Sequence, residues 1–133
     1  MKNKIVSVDF DGVLCKDPES GYEFGSKNYI DFLKTAEPIS FAREYKINEI
    51  ISGRRMIYKD ITIAWLKKHG FIYNKLYLKP TDIPIECTPV FKAEIYKKSK
   101  SELYIESSIG QAILISILSK RGVMCSENGV LYE

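Results

Sequence analysis

The chain has 133 residues, enough for one domain with a self-supporting core and too few for two. Its 45% hydrophobic and 28% charged residues, with no apolar run of membrane-spanning length, predict a soluble globular protein and exclude a membrane-embedded one. A net charge of +3 suits an anionic substrate but falls far short of the dense basic charge of a dedicated nucleic-acid binder.

The N-terminal stretch turns acidic at Asp9 before any signal-peptide core develops, so a cytoplasmic protein is expected. Cys15, Cys87 and Cys125 are widely spaced and odd in number, which predicts reduced thiols rather than a disulfide framework. A structural zinc site is not expected either, because His69 is the only histidine.

In chain order, KIVSV is short, β-branched and apolar, so residues 4–9 read as a buried central strand with Asp9 and Asp11 at its C-terminal tip. Residues 16–29, with Pro18, Gly21 and Gly25, have the composition of a loop or small hairpin. Helical spacing flanks Pro38, which is placed at a helix start. Residues 47–51 predict a second strand, followed by a polar turn from Ser52 to Arg55. Ile61, Ala64, Trp65 and Leu66 recur at helical spacing in residues 58–69, with Gly70 as the cap. A strand at 75–78, a proline-rich connection at 79–89 and a helix at 90–98 follow. The remaining elements are a strand at 102–106, a helix at 110–122 with Gly122 behind it, a strand at 123–125 and an edge strand at 129–133. Alternating strands and helices predict a single α/β domain, 1–133, with a mainly parallel sheet.

In such sheets the site lies beyond the carboxyl ends of the strands, where Asp9, Asp11, Ser52, Gly53, Arg54 and Glu106 would gather, with Lys92 from the preceding helix. These residue types make a coherent phosphoryl-transfer set. One carboxylate can attack phosphorus while a second protonates the departing oxygen. Asp9 and Glu106 with a backbone carbonyl suit Mg²⁺, and Ser52, the neighbouring N–H groups and Lys92 suit phosphate oxygens. Each residue also has a structural alternative. Asp-x-Asp-Gly can be turn chemistry, Ser52 a cap and Lys92 a solvated lysine, and Arg54 and Arg55 can face either phosphate or solvent.

DFDGV at a strand tip, SGR after the second strand, Lys92, and an apolar strand ending at Glu106 stand in an order that resembles the haloacid dehalogenase (HAD) superfamily. The resemblance implies a three-layer Rossmann-like sandwich without a cap domain and with a small flap at about 16–29. It implies Asp9 as nucleophile and metal ligand, Asp11 as general acid/base whose carbonyl touches Mg²⁺, Ser52 with Gly53 and Arg54 on the phosphate, Lys92 neutralising that phosphate, and Glu106 as the third metal ligand. An acid at Asp11 is the phosphatase pattern, so hydrolysis of a phosphorylated small molecule or nucleotide is expected, with no membrane partner. A nucleotidase or polynucleotide end phosphatase is the alternative enzyme, and a non-catalytic phosphate-binding or regulatory domain the alternative outside enzymes. Where the family usually offers a second acid in the last motif, this chain has Ser107, Ser108 and Gly110.

Overall fold

A computed structural model describes residues 4–18, 25–39 and 45–133. Strand β1 (Lys4–Val8) lies between two parallel neighbours, β2 (Tyr45–Arg55) and β4 (Leu103–Glu106). Covered on both faces, it buries Val6 and Val8 on one side and Ser7 on the other, where the Ser7 hydroxyl donates to Glu49 Oε1 at 2.8 Å. With β3 (Lys75–Lys79), β5 (Val123–Cys125) and β6 (Leu131–Tyr132), the sheet runs β3-β2-β1-β4-β5-β6. All neighbours are parallel except β6, which pairs antiparallel with β5.

Four helices connect these strands: α1 (Lys27–Thr35), α2 (Lys59–Lys68), α3 (Thr88–Lys97) and α4 (Ile109–Ser119). Two separate cores show which face each covers. Val6, Val8, Ile50 and Ile105 meet Trp65 and Leu66 of α2, with Phe32 of α1 against the same cluster. Ile51, Tyr104 and Val123 meet Ala93 and Tyr96 of α3 and Ala112 and Ile115 of α4 on the other side. The chain is therefore a three-layer α/β sandwich with the order of a doubly wound sheet. The strand order reverses between β1 and β4, which is where such sheets open a crevice at their carboxyl ends.

Several expectations are corrected. Ser52–Arg55 is not a turn after β2 but its continuation, with a register shift between Ser52 and Arg55 where the strand meets Leu78 and Lys79. Pro38 does not start a helix; it bridges Cys15, and Ile39 N–H donates to the Leu14 carbonyl. The segment expected to be helical after it, 40–44, and residues 19–24 of the expected flap lie outside the described residues. The end of that flap is already the N-cap of α1, where Ser26 accepts from Tyr29 N–H. At the end of α4 the left-handed cap is Lys120 (φ 58°) rather than a glycine. Cys15 and Cys125 are buried, but Cys87 is exposed. No helix of the described residues is long and apolar enough to cross a membrane.

Candidate active site

Asp9 follows the last residue of β1, and its N–H still bonds across to the Ile105 carbonyl of β4 at 2.9 Å. That bond extends the ladder by one residue and fixes the aspartate at the mouth of the crevice. Its Oδ1 accepts from Phe10 N–H at 2.8 Å and stands 3.3 Å from Lys92 Nζ. Lys92, buried on α3, also donates to Glu106 Oε1 at 2.9 Å. One ammonium thus serves two buried carboxylates from adjacent strands. Burial and the nearby Glu106 push the Asp9 carboxyl well above the usual carboxylate range, against the pull of Lys92. Burial alone would lower Lys92, but Asp9 and Glu106 outweigh it and raise it.

Gly12 lets the loop after β1 close on β4. Its φ is +84°, and a Cβ there would lie 2.6 Å from both Cβ and Oγ of Ser107. In that close approach Ser107 Oγ donates to the Asp11 carbonyl at 3.0 Å and stands 3.5 Å from Asp9 Oδ2.

The Asp11 side chain points elsewhere. Arg54 holds it in a two-pronged pair, Nε to Oδ2 at 3.0 Å and Nη2 to Oδ1 at 2.8 Å. The guanidinium lies over the Phe10 ring at 3.8 Å and reaches Thr62 Oγ1 at 3.3 Å. The irregularity of β2 after Ser52 accompanies this inward turn of Arg54. Ser52 itself does not line the crevice: it is buried, and its Oγ accepts from Arg54 N–H at 3.0 Å. Gly53 does line it, and a Cβ there would meet Thr88 Cγ2 at 2.7 Å.

These groups border an open cleft of about 400 Å³ that includes Asp9, Asp11, Gly53, Arg54, Lys92 and Glu106. Six of the seven residues expected at the site are thus brought together, and Ser52 is adjacent but turned away. Lys79, at the end of β3, is directed away from the cleft to the Ile83 carbonyl. Five further residues that line the cleft escaped the sequence reading, Asp17, Ile85, Thr88, Gln111 and Glu127, as did Tyr104 behind its wall. Strand alternation carries a signal for Tyr104, two residues before Glu106 and on the same face; its hydroxyl donates to the Ile51 carbonyl at 2.8 Å and lies 3.5 Å from Glu106 Oε1. Asp17 sits in a loop without pattern, and its carboxyl is raised by partial burial and by Asp11, Glu106 and Glu127.

The donor set decides how a Mg²⁺ ion would fit. Asp9 Oδ2 and the Asp11 carbonyl converge on Ser107 Oγ, which offers two hard oxygens and a hydroxyl on one side of the cleft. Glu106 is not free for direct ligation, because Oε1 accepts from Lys92 at 2.9 Å and Oε2 from Ser108 N–H at 3.2 Å. Among the described residues no group of three acidic, histidine or cysteine side chains stands ready to hold a metal. The residues therefore fit a water-rich ion held by Asp9 and the Asp11 carbonyl, the manner in which Mg²⁺ is usually bound.

Comparison with family models, with curated proteins and with solved structures gave no match.

Proposed function

We propose that the chain is a small, uncapped phosphatase of the HAD type that hydrolyses a phosphomonoester through an aspartyl phosphate on Asp9. The observation that carries this reading is a buried carboxylate at the β1 tip, 3.3 Å from a buried ammonium, with a second carboxyl two residues on. In the first half-reaction an Asp9 oxygen forms a bond to phosphorus as the bond to the leaving oxygen breaks, and a proton carried in by the phosphomonoester passes through Asp11 to that oxygen. In the second, Asp11 takes a proton from water as that water displaces the Asp9 oxygen and frees phosphate. Lys92 stabilises charge on the transferring group, and the Gly53 backbone lets it approach closely. Bound Mg²⁺ would add positive charge beside Asp9, favouring its ionised form and offsetting phosphate repulsion.

Arg54 sets a condition on this scheme. At rest its fork holds both Asp11 oxygens; a phosphate is a competing two-pronged acceptor, and its arrival frees Asp11 to handle the proton. A second reading, a non-catalytic phosphate-binding or regulatory domain, is favoured by the full engagement of Glu106.

The test is phosphate release from p-nitrophenyl phosphate, sugar phosphates, nucleotides and 3′- and 5′-phosphorylated oligonucleotides, with and without Mg²⁺. The enzyme reading expects Mg²⁺-dependent release that Asp9→Asn abolishes, and preference for nucleotides or oligonucleotide ends would specify a nucleotidase or end phosphatase. Equal, negligible rates for both proteins with intact phosphate binding would overturn it in favour of the binding domain.

A further inference from the structure

Helix α4 is inverted. The side turned to the sheet carries Ala112, Ile115, Ser116 and Ser119, all buried, and Ser119 Oγ has no hydrogen-bond partner among the described residues. At about 100° per residue, the opposite side carries Ile113, Ile117, Leu114 and Leu118, and these are 38%, 63%, 47% and 43% exposed. Ile109 extends the row at 37%. A helix that only covered a sheet would place its serines in water and its isoleucines inward. From Ile109 to Ser119 there is also no charged residue.

We propose that this face is a homodimer interface, in which α4 packs against α4 of a second copy about a two-fold axis. Three features select a second copy. Ile109, Ile113 and Ile117 form one ridge at i, i+4 spacing, Leu114 and Leu118 a second, and the groove between them accepts the matching ridge of an identical helix. The chain carries net charge +3, so like faces generally repel; an uncharged face is the one that meets its own copy without that cost. The exposed apolar area, on the order of 400 Å² per copy, is of the size that marks functional patches. Doubled and supplemented by its rim it reaches the lower limit of specific interfaces, about 1,000 Å² in total. An interface of that size is expected to give a weak, reversible dimer.

Sedimentation velocity from about 1 to about 200 μM tests this. The wild-type mass should rise from one chain to two across the range. Ile117→Glu should weaken association by at least about 100-fold while far-UV circular dichroism and the thermal transition stay in place, since Ile117 contributes little to the monomer core. Ile72→Glu, at an 87% exposed position off α4, should leave the dimer unchanged. A monomer throughout, or a dimer indifferent to Ile117→Glu, would overturn the proposal. Monomers that bind phosphatidylcholine vesicles through Ile117 would overturn it too, assigning the face to lipid.

Discussion

Removing the Arg54 side chain should destabilise the fold heavily, and the structure sets the size. The Arg54 side chain is 1% exposed and that of Asp11 27%, so the pair is buried on one side only. Breaking a buried pair costs about 3–5 kcal/mol, and the exposure of Asp11 places this one near 3. Loss of the Phe10 contact adds about 1 kcal/mol, for a total near 4 in Arg54→Ala. With an unfolding entropy of about 2.1 cal/mol/K per residue, each kcal/mol shifts the melting temperature of this chain by about 3.5 °C, so a drop of about 14 °C is expected. Arg54→Lys keeps the charge without the fork and should lose about half as much. Urea denaturation of Arg54→Ala, Asp11→Asn and the double variant then isolates the pair, with a coupling of about 2 kcal/mol expected. A coupling below about 0.5 kcal/mol would refute the claim that Arg54 is what holds Asp11.

Gly12→Ala should cost about 2–4 kcal/mol and most of the activity, because the left-handed backbone and the 2.6 Å approach to Ser107 both forbid a Cβ; an active variant of wild-type stability would contradict this. Burial and Glu106 hold the Asp9 carboxyl above its usual range, so the folded state keeps a proton that the unfolded chain releases, and stability falls as pH rises above about 4. Asn does not titrate. In metal-free buffer Asp9→Asn should therefore be about 1–2 kcal/mol more stable than wild type at pH 7, with the advantage gone at pH 4, as read by urea denaturation; a variant less stable at pH 7 would be inconsistent with the raised carboxyl. A thiol reagent should modify Cys87 in the folded protein and reach Cys15 and Cys125 only on unfolding, burial having raised the Cys15 thiol; rapid labelling of Cys15 would contradict its burial.

The parts of the site legible in the sequence are those fixed by the period of a parallel strand. A short, mostly apolar strand that ends in an acid places that acid at the sheet's carboxyl edge, which locates Asp9 and Glu106. One helix and one turn then bring Lys92 between them. What stayed hidden depends on long-range geometry. Arg54 and Arg55 are indistinguishable neighbours until the irregularity of β2 turns one inward to Asp11. Ser52 has the right residue type and place, but its hydroxyl is captured by the Arg54 N–H of the same strand. Glu106 ends the expected strand, yet its oxygens are spent on Lys92 and Ser108. Helix α4 reads as a helix from composition, but an uncharged stretch does not reveal that its serines face the sheet.

The most direct test of the central claim is capture of the covalent intermediate. Protein mixed with the fastest-released substrate and Mg²⁺, quenched in acid and digested, should carry one phosphoryl group on the peptide containing Asp9, labile to hydroxylamine and missing in Asp9→Asn. Turnover that leaves no phosphoryl group on Asp9, or that persists in Asp9→Asn, would contradict the account.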